Sequence, residues 1–420
     1  MTWQQFLVDD FVHDGKADIQ TGPFGTQLSA SEYVAAGVPV INVRNIGYGK
    51  LKADKLEYVS EETAERLSLH RLQTNDIVFG RKGAVDRHIL VDENQDGWVQ
   101  GSDCIRLRFH SDEISSAFIS YTFLRPEHQQ WMLTQSGNKA TMASLNQDVI
   151  RRIGISLPPL DVQLKVVNIL SAYDDLIENN RRRMAKLEEA ARLLYREWFV
   201  RLRFPGHEHT RIVNGVPEGW SKPTLQAVCA PDNGIQTGPF GSQLHQSDYT
   251  ETGVPVIMPK DILGFRIVTD SIAYIPEDLA NSLGRHRLQL GDVVYGRRGD
   301  IGRRAFISSR QVGWFCGTGC LRLRPNSEVV DPRYFFDALG SPETAGTIAG
   351  RAKGATMPNL NASIMADVTI LMPNYTLQQE YTKHVSHLSD MIECLALQNE
   401  KLRAARDLLL PRLMSGEIVV

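Results

Sequence analysis

The segment Ile19-Gln-Thr-Gly-Pro-Phe-Gly-Thr-Gln-Leu28 returns as Ile235-Gln-Thr-Gly-Pro-Phe-Gly-Ser-Gln-Leu244. The shift, 235 − 19 = 216 residues, is about half of the 420-residue chain. Solenoid repeats have periods of roughly 20–50 residues, so the unit here is a whole domain, present twice. The shift persists. Tyr33 with Gly37-Val-Pro-Val-Ile41 matches Tyr249 with Gly253-Val-Pro-Val-Ile257, and His70-Arg-Leu-Gln73 matches His286-Arg-Leu-Gln289. Asp76-Ile-Val-Phe-Gly-Arg-Lys-Gly83 matches Asp292-Val-Val-Tyr-Gly-Arg-Arg-Gly299, and Cys104 through Arg108 match Cys320 through Arg324. One residue is then lost. Ala140-Thr-Met142 matches Ala355-Thr-Met357, a shift of 355 − 140 = 215 that continues to Lys186-Leu187 and Lys401-Leu402. Spacing kept over such a stretch argues against chance similarity of two unrelated domains.

Each copy changes style partway. Residues 1–157 read mostly as short strands and turns: Val38–Ile41, Asp76–Phe79, His88–Val91 and Cys104–Arg108 are short apolar or alternating runs edged by Gly, Asp or Pro. Glu61–Ser68 and Ser115–Leu124 look helical. After Pro158-Pro159 a heptad pattern takes over: Val166, Leu170, Tyr173, Ile177, Asn180, Met184, Leu187, Ala191, Leu194, Trp198. The second copy repeats it with Tyr381, Val385, Leu388, Ile392, Leu395, Asn399, Leu402, Arg406 and Leu409. The expected layout is a globular domain at 1–157, a long helix at 158–200, a connector at 201–217, a second domain at 218–373, and a second long helix with its tail at 374–420. The fold class is α+β: two mixed α/β domains with twisted, largely antiparallel sheets, joined by two long antiparallel coiled-coil helices about a pseudo-twofold axis. If Asn180 faces Asn399, paired positions sum to 180 + 399 = 579. That register sets Leu187 against Ile392 and Leu194 against Val385. A polar pair in such a seam lowers stability but fixes register. The expected helix interface is Ile177, Asn180, Met184, Leu187, Leu194, Val385, Ile392, Leu395, Asn399 and Leu402.

Composition narrows the class. No apolar run approaches the roughly 18 residues of a membrane helix, and the start, Met-Thr-Trp-Gln-Gln-Phe, lacks a basic region followed by an apolar one. Five cysteines, an odd and sparse count, suit a reducing compartment, so a cytoplasmic protein is expected. Cys316 and Cys320 are only two potential ligands where structural zinc takes four, and they read as buried thiols; no metal is expected. The net charge of −3 leaves room for local basic patches.

Catalytic signatures are missing. The chain has no Gly-x-x-x-x-Gly-Lys-Ser/Thr loop, no Gly-x-Ser-x-Gly, no His-Glu-x-x-His and no Asn/Asp-Pro-Pro-Tyr/Phe. His70 and His286 occupy equivalent positions and read as structural histidines. What recurs is binding chemistry. Gly80-Arg-Lys-Gly83 and Gly296-Arg-Arg-Gly299 follow expected strands. Two adjacent long cations at a tight turn can reach phosphates or, for Arg, guanine O6 and N7. The candidate DNA contacts are therefore Arg81, Lys82 and Arg87 in the first copy and Arg297, Arg298 and Arg303 in the second. Thr21, Gln27, Thr237 and Gln243 of the Gly-Pro-Phe-Gly loops are candidates as well. These loops also read as structural turns in which Phe24 and Phe240 are hydrophobic plugs. Lys139, Thr141, Lys353 and Thr356 belong to small, cationic segments that could close over a groove.

Taken in order, these motifs resemble the specificity (S) subunit of type I restriction–modification systems. The marks are the duplicated Gly-Pro-Phe-Gly-Ser/Thr-Gln-Leu loop, Tyr-x-x-x-Gly-Val-Pro-Val-Ile, and the 291–303 turn. Leu157-Pro-Pro-Leu-x-x-Gln163 opens the long helix and Arg203-Phe-Pro-Gly-His-Glu208 follows it. The first copy departs at Gly83-Ala-Val-Asp-Arg87, which lacks the third glycine. The resemblance implies two target recognition domains, each reading half of a bipartite site in double-stranded DNA. It implies helices that act as a ruler and dock two methylation (M) subunits, and two further restriction (R) subunits. The chain itself would be non-catalytic and hold no cofactor, with S-adenosylmethionine, ATP and Mg on the partners. The competing readings are a duplicated protein-binding scaffold, or a nuclease or methyltransferase with an unrecognised site.

Overall fold

The structure is a computed structural model; it describes residues 3–136, 144–298, 301–352 and 359–420. The chain forms two compact units: Met1–Asn180 with Leu397–Val420, and Arg181–Ala396. The cuts lie 396 − 180 = 216 residues apart, the length of the repeat. They fall inside the long helices Leu160–Tyr195 and Tyr375–Met414, so the compact units do not end where those helices begin. The reason is packing. Each globular core is incomplete without helix residues from both long helices.

In the first unit a five-stranded sheet runs in the order Ala17–Thr21, Cys104–Phe109, Ile77–Gly80, His88–Leu90, Tyr48–Gly49. All its pairs are antiparallel except the last. Side chains alternate across this sheet with period two, and both faces are covered. Ile77, Phe79, Ile105 and Leu107 face one core, shared with Phe118, Ile119, Val149 and Ile150 and with Val166, Leu170, Leu410, Leu413 and Met414 of the long helices. Val78, Ile89 and Cys104 face a second, smaller core with Ile41, Ile46 and Leu72. A four-stranded sheet carries a third cluster around Val40, Val59 and Val99.

The second unit repeats this frame. Its four-stranded sheet runs Ile235–Thr237, Cys320–Leu323, Val293–Gly296, Arg304–Phe306. The registers are those of the first unit moved by 216. Ile105 opposite Thr21 becomes Leu321 opposite Thr237, Cys104 opposite Gly80 becomes Cys320 opposite Gly296, and Phe79 opposite His88 becomes Tyr295 opposite Arg304. Here too the long helices complete the core, through Ala191, Tyr195, Trp198, Tyr381 and Val385.

The expected strands and both expected short helices are present within a residue or two at their ends. The helices Val8–His13, Pro126–Ser136 and Gln147–Arg151 were not expected from the sequence. They are short or weakly amphipathic, so periodicity gives little signal.

Within the first unit the two seam asparagines meet: Asn180 Nδ2 donates to Asn399 Oδ1 at 3.0 Å, and Asn399 Nδ2 to the Ile177 carbonyl at 3.2 Å. Val166 and Leu413 share the core at the other end of this segment, so the helix segments run antiparallel. Within the second unit the Trp198 and Tyr381 rings meet edge-on at 6.0 Å. Their numbers also sum to 198 + 381 = 579. Met184, Val385 and Leu395 are buried, whereas Leu187, Leu194, Ile392 and Leu402 are half-buried.

Candidate nucleic-acid interface

Strand order places the candidate residues. Ala17–Thr21 and Ile77–Gly80 both pair antiparallel with Cys104–Phe109, so both end beside its start. The Gly-Pro-Phe-Gly loop and the Arg-Lys turn therefore emerge at one end of the sheet, although about 55 residues separate them in sequence. Residues 101–104 join them: Gly22 N donates to the Cys104 carbonyl at 2.9 Å, and Arg81 N to the Asp103 carbonyl at 2.8 Å. A third segment closes the group, with Leu145 N donating to the Arg81 carbonyl at 2.8 Å and Gln147 Nε2 to Thr21 Oγ1 at 3.0 Å. The second unit builds the same end. Gly238 N bonds the Cys320 carbonyl at 2.9 Å, Arg297 N the Gly319 carbonyl at 2.8 Å, and Leu360 N the Arg297 carbonyl at 3.0 Å.

These contacts hold the loop backbone tightly. A Cβ on Gly22 would stand 1.9 Å from the Gly101 carbonyl oxygen, and one on Gly238 2.0 Å from that of Gly317. Pro23, Leu28, Pro239 and Leu244 are buried beneath. Phe24 and Phe240 are not plugs: each residue is 62% exposed. The apolar anchors of the loop are its proline and leucine.

The cations play unequal parts. Lys82 is exposed and its Nζ pairs with Asp103 Oδ1 at 3.0 Å. Arg298 is exposed at the equivalent position, where Gly319 replaces Asp103. Arg81 is half-buried. Arg297 is half-buried, and its Nε donates to the Leu360 carbonyl at 2.6 Å and to Asn359 Oδ1 at 3.1 Å. It braces the turn from below. Burial, and then the charge of Arg298, lower its pKa. Arg87 stacks on the Tyr48 ring at 5.2 Å, while Tyr48 donates to Asp86 at 2.7 Å. Arg303 is half-buried, and its carbonyl accepts from Gly296 N at 2.9 Å. Gln27 is exposed, its Oε1 accepting from Phe24 N at 3.4 Å and its carbonyl from Arg66 Nη1 at 2.8 Å. Gln243 N donates to the Phe240 carbonyl at 3.4 Å, and Thr237 is half-buried at its strand end. Lys139, Thr141, Lys353 and Thr356 lie outside the described residues.

The two histidines belong to the interior. His70 and His286 are buried, and burial lowers both pKa values, helped by Arg106 for His70 and by Arg285 and Arg322 for His286, which falls to about 4. Cys316 and Cys320 are buried with their thiol pKa values raised by burial. Among the described residues no group of three or more His, Cys, Asp or Glu is placed to hold a metal, and no helix is long and apolar enough to cross a membrane. Two features of the sheet end were not read from sequence. Gln147 has Ala362 as its counterpart and Asp103 has Gly319, so neither carries the repeat signal that marked the others.

The chain is similar to known proteins. The family model for the type I restriction modification DNA specificity domain matches residues 3–189. The type I restriction enzyme MjaIX specificity subunit of Methanocaldococcus jannaschii is 22% identical over 395 residues, covering 93% of this chain and 88% of the relative. The MjaVIII specificity subunit of the same organism is 22% identical over 314 residues, covering 71% and 70%. In fold, the chain is similar to the S subunit of a type I restriction–modification system from M. genitalium, with a TM-score of 0.56 at 15% identity over 98% of this chain and 96% of that one.

Proposed function

The chain belongs to the specificity subunits of type I restriction–modification systems, and from that premise we propose that each unit reads one half of a bipartite DNA site. The observation that carries this reading is the duplicated sheet end. In each unit a rigid loop with Thr and Gln lies beside a turn with an exposed cation, Lys82 or Arg298. The exposed cations are the positions best suited to phosphate or base contact. Arg81 and Arg297 hold the turn that presents them.

The two halves are read differently. Lys82 is a point charge already paired with Asp103, whereas Arg298 offers a planar fork that suits guanine or a phosphate. The long helices set the gap between the half-sites and dock two methylation subunits. Those subunits bring S-adenosylmethionine and the methyl transfer, and two restriction subunits bring ATP- and Mg-dependent cleavage. This chain supplies recognition and no catalysis.

Methylome sequencing of a host expressing this chain with its methylation subunit tests the proposal. A split motif with two unequal halves is expected. Sequence-blind binding by the assembled complex would instead make the chain a scaffold, and methylation or cleavage by the purified chain alone would make it an enzyme. Arg298→Ala in the assembled complex is expected to weaken target binding by roughly 1–3 kcal/mol if a guanine is read bidentately. If only a phosphate is held, the salt slope falls by about one contact and sequence preference is unchanged.

A further inference from the structure

We propose that Phe24 and Phe240 are aromatic wedges, one per unit, that pack on the apolar faces of a nucleotide in each half of the DNA site. This rests on the DNA-reading role argued above. Single exposed apolar residues are ordinary on protein surfaces, so exposure alone says little. Here the same residue stands out at equivalent positions of two units, each 62% exposed. Burying a phenylalanine is favoured over leaving it in water. The loop forgoes that gain twice.

The backbone holds the rings outward. Gly22 and Gly238 are pressed against carbonyl oxygens. Pro23 and Pro239 are buried beside them, and Gly25 and Gly241 turn the chain just beyond the ring with φ of +64° and +61°. In the first unit the Phe24 amide is tied back to Gln27 Oε1. The ring thus lacks the freedom to fold down.

The surroundings select DNA over a protein groove. Each ring leaves the sheet end that carries Lys82 or Arg298, joined to it through residues 101–104 or 317–320. In the first unit its exposed neighbours along the loop, Thr26 and Gln27, are polar, a setting that suits a nucleic acid better than an apolar protein groove. Cations that hold phosphates beside a lone rigid ring match the way apolar side chains enter a groove and pack on base or sugar faces.

The test uses this chain assembled with its methylation subunits, with anisotropy titrations on the target duplex and on a scrambled duplex at several salt concentrations. Phe24→Ala and Phe240→Ala are each expected to weaken target binding about ten- to a hundredfold. The salt slope stays as in the wild type, because no phosphate contact is lost. Phe24→Trp and Phe240→Trp restore affinity, and their emission changes on adding target duplex. Alanine variants that bind the target like the wild type overturn the proposal. So does loss of methylation-subunit assembly while the assembled fraction binds DNA normally, which would make the loop a protein-docking site. If an alanine variant loses thermal stability, the tryptophan emission decides: no response to target duplex overturns the wedge. Wild-type complex that binds target and scrambled duplex equally overturns the DNA-reading role itself, and that result is separable because it precedes any variant.

Discussion

The two units share a frame and differ in what they hang on it. Strand registers match under the 216-residue shift, and so does the buried ion pair that locks the central sheet. Arg108 donates to Asp76 at 2.6 and 2.7 Å, and Arg324 to Asp292 at 2.8 and 2.7 Å. Each aspartate also accepts from the amide three residues before it, Gln73 N at 2.7 Å and Gln289 N at 2.8 Å. The differences lie at the sheet end and beneath the short helices. Lys82 with Asp103 faces Arg298 with Gly319. His88, bonded to Ser120 at 2.8 Å, is replaced by Arg304, packed over the rings of Phe265 and Phe336 at 4.8 and 4.9 Å. A duplicated reader needs its scaffold kept and its contacts free to diverge, and the pattern of change has that form.

The largest effect should come from the part held in common. Asp76→Ala or Asp292→Ala strands a half-buried arginine and two or more donors. Each is expected to cost about 3–5 kcal/mol, the range for breaking a buried pair from one side. Urea unfolding followed by hydrogen exchange in each unit measures it. Similar losses support equivalent frames; a loss in one unit only would break the equivalence. Gly22→Ala and Gly238→Ala should follow at about 1–3 kcal/mol, since an added methyl must displace a backbone carbonyl. Exchange should rise in the loop and in residues 101–104 or 317–320 of the same unit.

The duplication, the sheet strands and the long helices were legible because each leaves a periodic trace: a 216-residue echo, a period of two, a heptad. The site was legible as a set of residues and not as an arrangement. Nothing in the spacing of Arg297 says that its guanidinium is turned down onto Leu360 while Arg298 stays exposed. That division follows from side-chain packing at the Asn359 bridge. The exposure of Phe24 and Phe240 was also hidden, since an aromatic flanked by Pro and Gly reads equally as plug or tip. The helix ends embedded in the cores were hidden for a similar reason: a heptad shows which face is apolar and not what covers it.

The helix seam sharpens the comparison by its asymmetry. The repeat counterpart of Asn180 is Leu395 and that of Asn399 is Met184, since 395 − 180 = 399 − 184 = 215. The polar pair therefore falls in the first unit and the apolar residues Met184 and Leu395 in the second. Asn180→Ala leaves Asn399 buried with one partner fewer and should cost about 1–3 kcal/mol, read in the first unit by hydrogen exchange. Replacing both asparagines with leucine should recover stability and loosen register, which disulfide trapping of shifted cysteine pairs would show. Trapping confined to pairs summing to 579 would mean that the apolar positions alone fix the register.

Acid should separate the units by the smallest margin. His70 and His286 are equivalent and both lowered by burial, so each unit carries one such histidine. The first unit alone adds His88, lowered to about 3 by burial and then by the charge of His128, and His128, lowered to about 4 by burial and then by Arg125. At the position of His88 the second unit has an arginine, which does not titrate in this range. A histidine whose folded pKa lies below its unfolded value of about 6.5 binds more protons when unfolded. Its stability contribution is whole above pH 6.5 and is lost as pH falls toward 3–4. Each such histidine adds a slope of at most about 1.4 kcal/mol per pH unit in that window. Hydrogen exchange at pH 7 and pH 5.5, corrected for intrinsic rates, should show the first unit losing more stability than the second. His88→Gln should remove up to one proton's worth of that slope. Equal acid slopes in both units, before and after that substitution, would mean that the buried histidines of the first unit are hydrated enough to titrate normally.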